Sequence, residues 1–343
     1  MAENPIVAIV ILNWNGKKLF DIFLPSVIRH SAGPGTVIYI ADNGSTDESV
    51  THLIHHFPEI KIIILNENFG FAEGYNQALK QIDATYYILL NSDVEVTPGW
   101  INPCISMMEN DPQLAVVQPK ILSYNKPHSF EYAGAGGGFI DKYGYPFCRG
   151  RILNHTEQDK GQYDYPSSIF WASGACMFIR ADRFHEAEGF DGSFWAHMEE
   201  IDLCWRLKNK GYKIMYQPES TVYHLGGGTL PYSSPQKIYL NFRNNLFMLY
   251  KNLPDDKFYK IILTRIFLDQ VAAVKFFLGF YYSGFKAVIQ AHISFLKEIF
   301  SLRKKRSLLK KQAMVNDHPE IYTESIMWKF FIRRIRKFSD LNF

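Results

Sequence analysis

The stretch IVAIVILNWNG, residues 6–16, decides the fold class. Residues 6–12 are an unbroken apolar run dominated by Ile and Val, the pattern of a strand buried on both faces of a parallel sheet. The run stops at Asn13-Trp14-Asn15-Gly16, which is polar and turn-forming. The same kind of run recurs at 37–41, 62–65 and 86–90, with helix-like segments between them near 17–30, 48–56 and 72–81. This β-α-β-α order predicts an α/β fold, a Rossmann-like and mostly parallel sheet flanked by helices with right-handed crossovers. Such sheets bind ligands at the C-terminal ends of their strands. The segments at those ends read Asn13-Trp14-Asn15-Gly16, Asp42-Asn43-Gly44-Ser45, Asn66-Glu67-Asn68-Phe69-Gly70 and Asn91-Ser92-Asp93, and all four fall at one edge.

Further along, residues 120–168 are rich in Gly, Tyr and Pro, with a glycine-rich patch at 134–138, and read as loops and short strands over the site. Regular structure is expected to return at 176–180, in a helix near 198–210 and in short strands at 213–217 and 221–224. Residues 236–250, which include Arg243, read as a helix, and 257–300 as aromatic helix apolar on more than one face. No internal repeat is visible. The pattern divides into an α/β body over 1–250 and a helical, basic and aromatic extension over 251–343.

The chain has 343 residues, 47% hydrophobic and 21% charged, so it can bury a full core and is not a disordered chain. Its net charge of +3 hides an asymmetry. Residues 255–343 carry 17 Lys and Arg against 8 Asp and Glu, a net +9, so the remainder carries 20 against 26, a net −6. A mildly acidic body with a basic tail points to an anionic partner for the tail. The four cysteines, Cys104, Cys148, Cys176 and Cys204, lack CxxC spacing, which argues against a zinc cluster and for buried free thiols in a reducing compartment. The N-terminus has neither the basic region nor the cleavage site of a signal peptide. No apolar run reaches the roughly 20 residues of a membrane span.

Four segments carry candidate chemistry. An acid at Asp93, in the turn after a buried strand, suits a hard divalent cation that would hold a diphosphate; the same residues also suit an ordinary Asx turn. Asp42 can accept from a base N–H or a ribose hydroxyl, while Ser45 or Thr46 reads as the cap of the next helix. Glu199, Glu200 and Asp202 place three carboxylates in four residues at a helix start. One can serve as a general base towards a hydroxyl, and the cluster equally reads as a solvated acidic helix start. Asp202 and Arg206 share a helix face and can pair. His224, before Gly226-Gly227-Gly228-Thr229, can ligate metal or contact phosphate, or be a polar core residue.

Taken in order, VAIVILNWNG, ADNGSTDES, NENFGFAEGYNQAL, YYILLNSDVEV, WASGACMFIRADRF, GFDGSFWAHMEEIDLCWRLKNKGY and VYHLGGGTL resemble the inverting GT-A glycosyltransferases of family 2, and more closely their bacterial rhamnosyltransferase-like branch. The resemblance covers roughly residues 5–250. It implies that Asp42 contacts the nucleotide and that Asn68, Gly70 and Asn76 line the nucleotide side. With Asn13, Asn15, Asn43, Asn91 and Ser92 these form the expected donor-binding set. Asp93 matches the final, metal-binding aspartate of the family's DXD motif, with Asn91 in place of the first acid, and His224 the histidine near metal and diphosphate. Glu199-Glu200 stands where the family usually has Glu-Asp, which implies Glu200 as the base with Glu199 as its rival. Trp171, Ser173 and Gly174, with Asp202, fall in the expected acceptor and donor-sugar region.

The resemblance therefore implies transfer of a sugar from a nucleoside-diphosphate donor (dTDP-rhamnose by analogy) to a hydroxyl of a glycan or lipid-linked acceptor, with inversion and Mg²⁺ or Mn²⁺. The expected location is cytoplasmic, at the inner face of the cell membrane, with the basic tail on anionic lipid. The alternative use of the tail is a helical cap or homodimer interface. A non-catalytic sugar- or nucleotide-binding module of the same fold is the rival function; the retained Asp93, acidic pair and His224 weigh against it. The acidic body speaks against a nucleic-acid binder. A sugar-nucleotide pyrophosphorylase should open with a Gly-rich, basic phosphate loop, which residues 13–17 do not provide.

Overall fold

The opening apolar run forms β1 (Val7–Asn13), the middle strand of the sheet's parallel half, in a computed structural model that describes residues 6–226 and 234–343. Alternating elements follow: α1 (Lys17–Ser31), β2 (Thr36–Asn43), α2 (Ser49–His56), β3 (Lys61–Leu65), α3 (Gly70–Leu79), β4 (Tyr86–Leu90), β5 (Val94–Val96) and α4 (Ile101–Asn110). β1 pairs in parallel with both β2 and β4, and Asn13 is in register with Asp42. The expected clustering of strand ends at one edge is thus a consequence of register.

The order is less uniformly parallel beyond β4. After β6 (Leu114–Ser123) and β7 (Lys126–Phe130) come the short strands β8 (Gly138–Asp141), β9 (Pro146–Cys148), β10 (Arg151–Ile152), β11 (His155–Thr156) and β12 (Ser167–Ser168). Then follow β13 (Cys176–Arg180), α5 (Ala181–Glu186), α6 (Glu199–Asn209) and β14 (Lys213–His224). β13 runs antiparallel between β4 and β6, and the main sheet reads β12-β14-β6-β13-β4-β1-β2-β3. The two strands expected at 213–217 and 221–224 are one strand, broken by a register shift against β6. α1 and α4 cover one face through Phe20, Leu24, Trp100 and Met108; α3 and α6 cover the other through Tyr75, Leu79, Leu203 and Leu207.

The chain closes with α7 (Pro235–Asn252), α8 (Asp255–Leu278), α9 (Tyr282–Lys297), α10 (Ile299–Gln312), β15 (Ile321–Tyr322) and α11 (Ile326–Phe331). The helix expected over 257–300 is a hairpin, α8 and α9, turning at Gly279 and Phe280. The expected boundary at 250/251 cuts α7 two residues before its end. Nor do residues 251–343 pack as an appendage. β15 adds in parallel to β8, and Phe295, Leu302, Ile326, Phe330 and Leu341 join the same apolar core as α3 and α6. Phe338 and Phe343 pack in tilted and edge-on contacts against Phe139 and Phe147 of the second sheet, β11-β10-β9-β8-β15. All four cysteines are buried and unpaired. Among the described residues no helix is long and apolar enough to cross a membrane.

Candidate functional site

Asn13 and Asp42, neighbours in register, are both buried. Asn13 Nδ2 donates to Asp42 Oδ1 at 2.9 Å, and the Ser45 amide donates to Asp42 Oδ2 at 3.0 Å. Ser45 does not cap α2 as expected: its Oγ accepts from Asn13 Nδ2 and from the Asn15 amide. Asn15, held at φ 54, accepts from the Thr46 and Asp47 amides. These bonds tie the turns after β1 and β2 into one ledge.

Asn43 extends the ledge to the third strand end. Its Nδ2 donates to Asn68 Oδ1 and Gly70 O, and its Oδ1 accepts from the Phe69 amide. Asn68 Oδ1 also accepts from the Gly70 amide, leaving its own Nδ2 available. Gly70 sits at φ +75, and a Cβ there would lie 2.6 Å from the Trp195 ring. Glycine is required on both counts. Asn76 stands apart: its amide bonds both the N–H and the O of Phe190, so it fastens α3 to the 189–192 turn instead of facing the ledge.

Beside the ledge, the Asn91-Ser92-Asp93 turn meets the end of β14. His224 Nε2 lies 3.1 Å from Asp93 Oδ1 and 3.4 Å from Asn91 Nδ2, while its Nδ1 lies 3.2 Å from Glu131 Oε2. Asp93, Glu131 and His224 are all buried. Burial alone would lower the imidazole, but the two carboxylates outweigh it and hold His224 up at about 10. Burial likewise opposes ionisation of Asp93, and the His224 contact overrides it, holding Asp93 below the usual carboxylate range. Glu131 escaped the sequence reading because it lies in the irregular 120–168 stretch, 93 residues before His224, without a strand-end pattern to mark it. Residues Gly227, Gly228 and Thr229 lie outside the described residues.

The candidate base lies across the 171–175 segment from this turn. The Asn91 amide donates to Ala175 O, and the Ala172 amide contacts Cys204 Sγ at 3.5 Å. Glu200 shares the Cys204 face of α6 at i, i+4 spacing, so it faces that segment. Asp202 and Arg206 occupy another face and pair at 2.8 Å, as their spacing predicts. Asp202 is fully buried and also bound by Lys251 and Asn252, so the expected substrate contact gives way to a structural network. Trp171 is likewise buried, its Nε1 donating to Phe139 O, which removes it from the expected sugar-facing set. Ser173 is also committed internally, to Ala133 O, Gln118 Oε1 and the Ala175 amide; Gly174, against Phe71, stays partly open.

Glu199 is buried and Glu200 partly exposed, and each has an Oε2 without a hydrogen-bond partner. Burial raises the Glu200 carboxyl to about 7; burial and then the neighbouring Glu200 charge push Glu199 well above the carboxylate range. The approach to this pair is strained: Trp195, His197 and Met198 have φ of 66, 71 and 73. Such backbone costs of order 1–3 kcal/mol per residue and persists only where the surroundings over-determine it. Here Asn244 Nδ2 donates to Phe194 O, Ala196 O and His197 O, and Arg243 Nη2 to Ser193 O and Phe194 O. The side chain of Trp195 remains 42% exposed beside Gly70.

Known proteins share this fold. Residues 8–187 match the Glycosyl transferase family 2 domain, just over half of the chain. An N-acetylglucosaminyl-diphospho-decaprenol L-rhamnosyltransferase of Mycobacterium tuberculosis is 25% identical over 239 residues, covering 64% of this chain and 76% of the relative. The O-antigen biosynthesis protein RfbC of Myxococcus xanthus is 24% identical over 229 residues, 64% of this chain but only 17% of that much longer protein. Among solved structures, a mannosyltransferase from Pyrobaculum calidifontis in complex with GDP-Man and Mn²⁺ superposes with a TM-score of 0.52 at 11% identity, covering 91% of this chain and 85% of that one. GalNAc-T7 with UDP, GalNAc and Mn²⁺ gives a TM-score of 0.56 at 16% identity over 76% of this chain, which spans half of that protein's length. The chain thus belongs to glycosyl transferase family 2 and has the GT-A fold of a glycosyltransferase.

Proposed function

We propose that this glycosyltransferase moves a sugar, with inversion, from a nucleoside diphosphate to a hydroxyl of a glycan or lipid-linked acceptor. The observation that carries the proposal is the carboxyl of Glu200, a partly exposed residue at the start of α6, raised by burial to about 7 and with a buried Oε2 that has no hydrogen-bond partner. A general base is most effective when its pKa lies near the working pH. Asp42 and Asn68 would receive the nucleoside on the ledge that Asn13, Asn15 and Asn43 hold, with Asn91 and Ser92 in the turn beside it.

Asp93 Oδ1 and His224 Nε2 lie 3.1 Å apart and share a hydrogen bond, so the imidazole, held up at about 10, would have to give up its Nε2 proton for the pair to hold a divalent cation, Mn²⁺ or Mg²⁺. Among the described residues no group of three or more His, Cys, Asp and Glu is arranged as a metal cage, so phosphate oxygens would supply further ligands. Such a cation, when bound, neutralises charge on the departing diphosphate. Glu131, at the other imidazole nitrogen, fixes the ring's orientation. Glu200 takes the acceptor hydroxyl's proton as that oxygen bonds to the anomeric carbon. The bond from that carbon to the diphosphate oxygen breaks, and its electron pair leaves with the nucleotide. One base and no protein nucleophile give inversion in a single displacement. The mycobacterial relative, an N-acetylglucosaminyl-diphospho-decaprenol L-rhamnosyltransferase, supports an L-rhamnosyl donor, dTDP-linked, and a diphospho-lipid acceptor met at the cytoplasmic face of a membrane.

A thermal-shift panel of dTDP, UDP and GDP, with and without Mn²⁺ or Mg²⁺, tests the donor site. One nucleotide should stabilise the protein selectively and only with the cation. At about 100 times its Kd this amounts to about 2.7 kcal/mol. Absence of stabilisation by every nucleotide overturns the reading.

A further inference from the structure

We propose that the outward face of α8, continued by the α8–α9 turn and α11, is a docking surface for an anionic lipid bilayer. α8 is apolar on both sides. Its inward face buries Ile261, Ile262 and Ala273 together with a charged set, Arg265 with Asp269 at 3.2 Å and His292 with the other Asp269 oxygen at 3.2 Å. Its outward face presents Leu263, Phe267, Val271, Val274 and Leu278, spaced as one helical stripe and all more than half exposed. An ordinary surface helix shows solvent a polar face, and contiguous exposed apolar stripes mark interaction surfaces.

The stripe runs into a larger apolar end. Phe277, Leu278 and Tyr282 flank the turn, and Phe280, held at φ 58 at its tip, is 80% exposed. The Lys275 ammonium stands 5.2 Å from the Phe331 ring, which sets α11 against this end. α11 and its exit add Trp328, Phe331 and Ile332, each more than half exposed. Exposed cations border the region: Lys260, Lys275 and Lys286 on the hairpin, then Arg333, Arg334, Arg336 and Lys337 after α11. Apolar and aromatic side chains rimmed by Lys and Arg are the pattern of a segment lying in a negatively charged lipid interface, and this charge complementarity selects a bilayer over a neutral protein face.

The structure also separates two kinds of basic residue in the tail. Within the Arg303–Arg306 cluster, Lys305 binds Asp191 at 2.6 Å, and Arg306 is buried against Asp255 at 2.6 Å. These two hold α10 to the body; Arg303 and Lys304 of the same cluster stay exposed, and the cations that follow the exposed α11 side chains in the chain are Arg333, Arg334, Arg336 and Lys337. Deleting 301–343 would also strip Leu302, Ile326 and Phe330 from the core, so point variants are the cleaner probe. The proposal deepens the reading of a lipid-linked acceptor and rests on it for its purpose, but vesicle binding is measured without any sugar transfer.

The test is flotation of the full chain with phosphatidylcholine vesicles and with vesicles containing phosphatidylglycerol. Wild type should float with the anionic vesicles at low salt and progressively less as salt rises. A Leu263→Ser, Phe267→Ser, Val271→Ser triple variant should weaken binding roughly 100-fold or more. Arg333→Glu with Arg334→Glu should weaken it by roughly tenfold or more on anionic vesicles. Both variants should keep the wild-type unfolding temperature and nucleotide response, since the altered side chains are exposed. No flotation of wild type at low salt, or undiminished flotation of the triple variant, overturns the proposal. So does a lipid-free dimer in sedimentation that the triple variant dissolves, which would make this face a protein interface.

Discussion

Glu200→Gln is expected to lower kcat for sugar transfer by about 100- to 10,000-fold while leaving nucleotide affinity unchanged, as the loss of a general base does. The substitution keeps the side chain's size and removes its capacity to accept a proton. In the wild type the base must be ionised, and burial raises its carboxyl to about 7. Activity should therefore climb about tenfold per pH unit below that value and level off above it. The variant's residual rate should lose this dependence. The neighbouring Glu199 supplies the control. It is buried, and burial and then the neighbouring Glu200 push its carboxyl well above the usual range, which disfavours its ionised form. Steady-state rates of Glu199→Gln and Glu200→Gln across pH separate the two, and full turnover by Glu200→Gln with loss in Glu199→Gln would reverse the assignment.

Lys251→Met should be the most damaging substitution outside the site, costing about 3–5 kcal/mol of stability at pH 7, the range found when one partner of a buried ion pair is removed. The Lys251 ammonium lies 2.6 Å from Asp191 and 2.9 Å from Asp202, and 4.9 Å from the Phe194 ring. Asp202 keeps Arg206 in the variant, and Asp191 keeps Lys305. Both carboxylates nonetheless lose their shared cation in a dry interior. The pH dependence has a defined sign. Burial would raise Asp191, but Lys251 and Lys305 outweigh it and depress its pKa far below the ordinary 3.8. A depressed carboxylate contributes stability above its unfolded value that fades as pH falls towards its folded one. The gap between wild type and Lys251→Met should narrow below about pH 4, and urea unfolding at pH 7 and pH 3 measures it.

The parts of the molecule legible in the sequence are those set by short-range pattern. The run at 6–12 and its three repeats announced the parallel half of the sheet, because a strand covered on both faces has no polar side to show. The Asp202–Arg206 pair followed from helix spacing alone. The roles of Trp171, Ser173 and Asn76 were not legible, because what decides them is long-range. Trp171 is held by Phe139, Ser173 by Ala133 and Gln118, and Asn76 by Phe190. Each polar group that looked available for a ligand is satisfied by a partner the sequence places far away. The same limit hid Glu131 behind His224 and Asn244 beneath the strained 195–198 backbone. The +9 tail illustrates it best. Charge counting treated its basic residues as one patch, whereas Arg306 is buried against the body and Arg333 and Arg334 are exposed.

The central claim is that one carboxylate on α6 activates the acceptor for a single displacement at the anomeric carbon. The anomeric configuration of the product, read by NMR with the donor that the nucleotide panel selects, tests it most directly. The account predicts a product of opposite anomeric configuration to the donor; a product with the donor's configuration retained would contradict it.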